Sequence, residues 1–339
     1  MRIGVIGIGA IGGATAARLL RAKGADETIA LAAGSERHAE ALRASGLTVE
    51  DEGGRWQVPV PAQVGAALPD LGAPYDLMLL CTRTDVLETA LGAAAPLLSP
   101  EGAVVCIQNG LPEERASRVV GAERTLGAVV GWSGQSDGPG RFRVTSKGPL
   151  TLGAFSAAAR PRLAAARALL ARTAPVRLTD NLDGARWTKL ALNCALSSLG
   201  AATGLSLGEL ASRRAVRRLA MRIVGEVLAV AEARGVRLEK VSGLRPSWVA
   251  RGPALIRHLL IWAACQPHRR QRSGMLARLE AGRPAGQVDD LNGAVAAAAR
   301  ERGLEAPLNA RLCALVHAIE RGEERIGLHQ IARLGAPLR

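Results

Sequence analysis

No uninterrupted apolar run in this chain approaches the roughly 20 residues needed to span a bilayer, so a cytoplasmic protein with no membrane partner is expected. Paired cysteines are also missing. Cys81, Cys106, Cys194, Cys265 and Cys313 stand singly in mostly apolar stretches without a CxxC pair. An odd, scattered set argues against a disulfide framework and for reduced, buried thiols. His38, His258, His268, His317 and His329 show no HExxH or similar ligand spacing, so no metal site is expected. Lysine is confined to Lys23, Lys147, Lys189 and Lys240, and the rest of the basic excess behind a net charge of +14 is arginine spread over the predicted helices. The densest cluster, His268-Arg269-Arg270-Gln271-Arg272, is short and has no aromatics interleaved for base stacking. Nucleic acid is therefore not an expected partner, and the charge suits anionic small molecules.

What the chain does have is concentrated at its start. Ile3, Val5 and Ile6 form a short apolar run that leads into Gly7-Ile8-Gly9-Ala10-Ile11-Gly12, and a helical pattern follows from Ala14 to Ala22. Strand, glycine turn and helix together are the context that gives GxGxxG its meaning. Gly7 permits the tight turn, Gly9 lets backbone approach a pyrophosphate, and Gly12 lets the helix pack closely on the strand. The helix N-terminus, with Ile8, Ala10 and Ile11 around it, offers free N–H groups to phosphate. A dinucleotide-binding domain is expected to begin at residue 1, with no leader before it.

At 339 residues the chain has room for two domains. The first, residues 1–180, reads as α/β: a Rossmann-type, doubly wound, mostly parallel sheet covered by helices. Strands are expected at Thr28–Ala32, Tyr75–Cys81, Ala103–Ile107, Leu126–Gly131, Arg141–Thr145, Leu150–Leu152 and Val176–Leu178. Helices are expected at Arg37–Ser45, Asp85–Ala95 and Pro161–Arg172. From Asp183 onward Ala, Leu and Arg recur at helical spacing, so residues 181–339 read as an all-helical substrate and dimerisation domain, and a homodimer is expected.

In a parallel sheet ligands lie across the carboxyl ends of the strands. Three features fall there: the glycine turn, Thr82-Arg83-Thr84 and Gln108-Asn109-Gly110. The second strand ends at Ala33-Gly34-Ser35-Glu36-Arg37-His38, where an acidic residue would favour NAD and basic or hydroxyl groups the 2′-phosphate of NADP. Ser35 and Arg37 can grip a phosphate, whereas Glu36 would oppose one if it pointed inward; NADPH is favoured. Farther on, Lys189, Asn193 and Ser197 stand four apart along one helix face. Such a stripe is either a solvent face or a site. In a partly dry site the lysine is a good proton donor, because desolvation lowers its pKa.

The chain resembles the ketopantoate reductase family, the NADPH-dependent 2-dehydropantoate 2-reductases, over nearly its whole length. The resemblance rests on the N-terminal GxGxxG, Gln108-Asn109-Gly110, Gly148-Pro149-Leu150-Thr151-Leu152-Gly153, Trp187-Thr188-Lys189-Leu190-Ala191-Leu192-Asn193, and Leu279-Glu280-Ala281-Gly282-Arg283-Pro284 followed by Leu291-Asn292-Gly293. It implies that Lys189 is the general acid protonating the acceptor as hydride arrives, that Asn109 lies by the nicotinamide, and that Asn193 helps hold the substrate. The departures concern recognition. Arg83 stands for the family's lysine, Ser197 for an asparagine, Gly274 beside Ser273 for a serine, and Gln287 for a glutamate, with one inserted residue before it. The lost groups bind the hydroxyl and carboxylate of the pantoate skeleton in the family, and removing several such partners changes the substrate. The expected function is therefore a reductase of the same mechanism with a different small-molecule acceptor, such as the C=N of a cyclic imine or thiazoline in a natural-product pathway. The alternatives are 2-dehydropantoate or another 2-oxo acid as substrate and, from another class, an inactive cofactor-binding sensor.

Overall fold

Short apolar strands alternating with helices build a sheet in the first half of the computed structural model, which describes residues 1–240 and 246–336. The strands are β1 (Arg2–Ile6), β2 (Thr28–Ala32), β3 (Leu47–Asp51), β4 (Gly54–Val58), β5 (Val64–Gly65), β6 (Tyr75–Leu80), β7 (Leu98–Cys106), β8 (Thr125–Val130), β9 (Ser133–Ser136), β10 (Arg141–Ser146), β11 (Leu150–Ala154) and β12 (Val176–Thr179). Eight of them form one sheet in the order β12-β11-β8-β7-β6-β1-β2-β5, parallel throughout except between β8 and β11. The strand order reverses beside β1, the switch point at which doubly wound sheets bind ligands. Register aligns the edge: Ile6 pairs with Ala32 and Leu80, and Leu80 pairs with Cys106. The carboxyl ends of β1, β2, β6 and β7 therefore finish level.

Helices α1 (Ala10–Arg21), α2 (Glu36–Ser45), α3 (Leu87–Ala94), α4 (Pro112–Val120) and α5 (Leu163–Leu170) complete this part. The expected start of α1 at Ala14 is four residues late. Gly12 and Gly13 cost helix propensity, yet both are buried and pack closely, so the helix runs through them. Helix α4 was not expected; Pro112 opens it at a position where proline needs no N–H. The segment expected as a further strand at Arg141–Thr145 does form one, but in a second sheet of order β4-β3-β10-β9. Its alternation is the reason: Phe142 is buried between exposed Arg141 and Arg143, and its ring occupies the space where a Cβ on Gly13 would be.

Two units emerge, Met1–Gln108 with Pro112–Leu182, and Asn109–Leu111 with Asp183–Arg339. The second contains α6 (Leu182–Thr203), α7 (Leu207–Ser212), α8 (Arg214–Ala233), α9 (Pro246–Arg251), α10 (Ala254–Cys265), α11 (Gly274–Glu280), α12 (Ala294–Glu301), α13 (Pro307–Glu320) and α14 (His329–Gly335), and no strand among the described residues. Leu190, Cys194 and Leu199 of α6 share a core with Val227 of α8 and Leu312 and Val316 of α13. Gly204, at φ +77°, adopts the left-handed conformation that stops α6. Among the described residues no helix is long and apolar enough to cross a membrane.

Candidate active site

The glycine turn is built from three different steric demands. Gly7 has φ +97°, and a Cβ there would meet the backbone of Cys81 and Thr82 within 2.8 Å. A Cβ on Gly12 would lie 2.0 Å from the Gly7 carbonyl oxygen. Gly9 is exposed and a Cβ on it would meet nothing within 4 Å. The protein itself gives no reason for glycine at 9, which is how a position that leaves room for a ligand looks. No side chain caps α1 at Gly9, so its first N–H groups stay available to an anion. Ile8 is buried below the turn, and Ala10 and Ile11 are half-buried on it. Cys81 beside the turn is no nucleophile: burial pushes its thiol up to about 12.

At the end of β2, Ser35 Oγ caps α2 by accepting from the His38 amide at 3.3 Å. Glu36 does not stand alone. Arg43 holds its carboxylate at 2.7 Å and keeps it below the usual carboxylate range, and the same guanidinium donates to the Val64 carbonyl. Arg37 is exposed and has no hydrogen bond or ion pair among the described residues. Arg83, in contrast, is engaged: its guanidinium grips Asp85 through both carboxylate oxygens and lowers that carboxyl's pKa. The cation expected at this strand end is thus locally neutralised. Gln108 donates to Thr82 Oγ1 at 3.3 Å, tying the ends of β7 and β6 together.

In the helical unit, α6 buries Trp187, Thr188, Leu190, Ala191, Cys194, Ala195, Ser198 and Leu199. Thr188 donates to the Glu239 carbonyl at 2.6 Å, which fixes this part of the helix. The remaining strip holds Lys189, Leu192, Asn193, Leu196 and Ser197, all half-buried. Lys189, Asn193 and Ser197 make no side-chain hydrogen bond or ion pair among the described residues. Polar groups withdrawn from water are normally partnered; three unpartnered ones in a row, with donor and acceptor capacity, offer a ready docking line for a small polar molecule. Burial alone pulls the Lys189 ammonium below its ordinary pKa of 10.5.

Beside these, Asn109 donates to Gln287 Oε1 at 3.3 Å, so two residues expected at the cofactor and at the substrate are joined to each other. Gly110 at φ +80° leaves room for the Asp290 carbonyl, 2.8 Å from where a Cβ would be. Asp290 lies in a π-helical turn, Asp289–Gly293, a feature frequent at functional sites. Ser273 sits against Gly200, one turn past Ser197, and its Oγ caps α11 by accepting from Leu276 at 3.0 Å. Gly274 is exposed and adds no hydroxyl.

One residue escaped prediction as a contributor. Asn292, fully buried in the π-turn, donates to the Cys194 carbonyl of α6 and to Asn309 Oδ1, and accepts from Ser198 Oγ. Asn309 in turn donates to Glu226 at 2.8 Å. The signal in the sequence was Leu291-Asn292-Gly293, one of the segments that carry the resemblance, but an Asn-Gly pair after two aspartates reads as a turn and gives no sign of burial.

Comparison with known proteins bears directly on this arrangement. Residues 3–157 match the family described as Ketopantoate reductase PanE/ApbA, and residues 181–320 match Ketopantoate reductase PanE/ApbA C terminal. A 2-dehydropantoate 2-reductase of Mesorhizobium japonicum is 32% identical over 261 residues, 70% of this chain and 78% of that protein. The crystal structure of a PanE/ApbA family ketopantoate reductase from Ralstonia eutropha JMP134 matches with a TM-score of 0.78 and 28% identity, over 96% of this chain and 100% of that one. D-mandelate dehydrogenase, in a ternary structure with NADH and anilino(oxo)acetate, shares the fold with a TM-score of 0.82 and 21% identity, over 95% of this chain and 99% of that one. The chain belongs to the ketopantoate reductase family and is an NAD(P)H-dependent oxidoreductase.

Proposed function

We propose that this protein is an NADPH-dependent reductase of a small-molecule acceptor, with Lys189 as general acid and an acceptor other than ketopantoate. The observation that carries the reading is the half-buried line Lys189, Asn193 and Ser197, polar and without partners among the described residues. The nucleotide is read as bound at the glycine turn through Gly7, Ile8, Gly9, Ala10, Ile11 and Gly12, with Ser35 and Arg37 on the 2′-phosphate and Asn109 near the nicotinamide. The open space at Gly9 and Arg37, which has no partner among the described residues, support that fit. When bound, the nicotinamide supplies a hydride. Addition of hydride to C=O or C=N leaves negative charge on the heteroatom, and Lys189 hands its Nζ proton to that atom while Asn193 and Ser197 orient the acceptor. A lowered pKa helps, since proton donors work best with a pKa near the operating pH.

The substrate argument rests on what the recognition residues can bind. Gln287 is neutral and already accepts from Asn109, Gly274 has no side chain, and the Ser273 oxygen caps a helix. A cyclic imine or thiazoline C=N needs a proton donor and little else, and suits such a site. The curated relatives named 2-dehydropantoate 2-reductase favour the second reading, a 2-oxo acid acceptor. NADPH oxidation measured side by side with ketopantoate, other 2-oxo acids and cyclic imines decides between them, and no turnover with any acceptor would leave only a cofactor-binding role.

A homodimer through the helical unit belongs to the same proposal. Leu255, Leu259 and Trp262 of α10 are exposed at helical spacing, an apolar strip of the kind that marks protein interfaces. A monomeric mass by light scattering would reject it.

A further inference from the structure

Asp289 of the π-turn and Cys313 and His317 of α13 bring three different ligand atoms to one point. Asp289 Oδ1 lies 2.8 Å from His317 Nε2 and 3.5 Å from Cys313 Sγ, and all three atoms lie within 4.8 Å of one another. Cys313 and His317 stand four apart, hence on one helix face. Around a tetrahedral zinc ion, with Zn–O and Zn–N of about 2.0–2.1 Å and Zn–S of about 2.3 Å, ligand atoms are roughly 3.3–3.6 Å apart. The Asp289–Cys313 pair already has that spacing. The Asp289–His317 pair needs to open by about half an ångström, and the Asp289 side chain is exposed and able to swing.

The outer groups are also in place. His317 Nδ1 lies 2.7 Å from Glu320 Oε2, and the other Glu320 oxygen accepts from the Ala285 amide. A carboxylate on the far nitrogen is what fixes the tautomer and orientation of a metal-ligating histidine. Gly293 faces the cluster: a Cβ there would lean on both Cys313 Sγ and Asp289 Oδ1, at 3.4 and 3.5 Å.

We propose that Asp289, Cys313 and His317 form a binding site for a divalent cation of the zinc type, with water as the fourth ligand. Thiolate and imidazole together select against Mg²⁺ and Ca²⁺, which prefer oxygen. On binding, Cys313 releases its thiol proton and His317 the Nε2 proton that faces Asp289, both to solvent; sulfur and Nε2 then bond the ion, while Nδ1–H stays on Glu320. The ion ties the π-turn to α13. It therefore stiffens the segment from Ala285 to Gly293, which carries Gln287 and Asn292, without entering the reaction itself. Cys313-x-x-x-His317 is an ordinary helical spacing in the sequence and becomes a cluster only when Asp289, 24 residues earlier, folds against it.

The test uses Co²⁺ as the probe on metal-stripped protein. The expected result is one equivalent bound, with thiolate-to-cobalt charge-transfer absorption that excess Zn²⁺ bleaches. Cys313→Ser, close in size and checked for folding by circular dichroism, should lose that band, and His317→Gln should weaken binding at least tenfold. Glu320→Gln should weaken it by about 10–100-fold. Absence of the band in the unaltered protein overturns the proposal, and so does a band that persists in Cys313→Ser or undiminished affinity in His317→Gln. Those results would leave the cluster as an ion pair of His317 with Asp289 and Glu320.

Discussion

The side-chain amide of Asn292 donates to the carbonyl of Cys194 at 3.3 Å, so the π-turn grips α6 at the residue next to Asn193. Ser198, one turn on, donates to the same side chain. This buried junction sets where the polar line of α6 stands relative to the turn that carries Gln287. Asn292→Ala would take the acceptor from Ser198 Oγ, the donor from Asn309 Oδ1 and the side-chain donor from the Cys194 carbonyl, while Asn309 keeps its hold on Glu226. The expected loss is about 1–3 kcal/mol, read as a fall in Tm of about 1–4 °C, since an unfolding entropy of about 2.1 cal/mol/K per residue makes each kcal/mol worth about 1.4 °C in a chain of 339 residues. Turnover should fall as well while KM for the nucleotide is unchanged; unaltered Tm and kcat would show that the junction matters to neither.

Arg37 and Glu36 are neighbours with opposite fates. Arg43 occupies Glu36, and Arg37 has no partner among the described residues. If Arg37 grips the 2′-phosphate, Arg37→Ala should raise KM for NADPH about ten- to a hundredfold, the worth of a charge-assisted hydrogen bond, and leave NADH kinetics nearly unchanged. Arg43→Ala should also raise KM for NADPH, by releasing Glu36 to oppose the phosphate. Equal kinetics with NADPH and NADH in the unaltered protein would remove the assignment.

The parallel sheet was legible because its strands are short, apolar and bounded by glycine, as at Ile3–Ile6 before Gly7 and Thr28–Ala32 before Gly34. Of the second sheet, only the strand at Arg141–Thr145 was. β3 and β4 are largely exposed, burying only Leu47, Val49 and Val58 while Glu50 and Arg55 face solvent, and a strand that buries so little through distant partners leaves a weak local pattern. In the helical unit Lys189, Asn193 and Ser197 could be placed on one face by spacing alone. Whether that face is wet, half-dry or buried depends on α8 and α13, elements many residues away. Engagement was equally invisible: nothing in Thr82-Arg83-Thr84-Asp85 says that the arginine turns onto Asp85, or that Ser273 Oγ serves as a helix cap.

Ketopantoate itself gives a direct measure of the recognition residues. With Gln287 in place of a carboxylate and Gly274 in place of a hydroxyl, kcat/KM for ketopantoate should fall below the usual enzyme range of about 10⁴–10⁸ M⁻¹s⁻¹. Restoring the acid with Gln287→Glu should raise it, because a carboxylate can accept a substrate hydroxyl that the amide, held by Asn109, receives poorly. An efficient reaction in the unaltered protein would return the chain to the ordinary family substrate.

Lys189 carries the proposed proton transfer. It is the eighth residue of a 22-residue helix, half-buried and without a partner among the described residues, so it is not a surface lysine at a frayed helix end. A positioned proton donor is worth about 10²–10⁴ in rate. Lys189→Ala should cut kcat by at least about a hundredfold with little change in nucleotide affinity, and Lys189→Arg should not restore it, because a guanidinium keeps its proton. The pH profile carries the same signature. Only the ammonium form can donate, so kcat should hold on the acid side and fall as pH rises through the Lys189 pKa, which burial sets below 10.5. Stability moves the other way. Between that lowered pKa and the ordinary value near 10.5, the unfolded chain holds a proton that the native lysine has released, so unfolding free energy rises with pH across the window. Lys189→Met should flatten that rise and abolish turnover together. A variant that retains near-normal kcat on the true acceptor, with the alkaline limb intact, would move the acid to another residue.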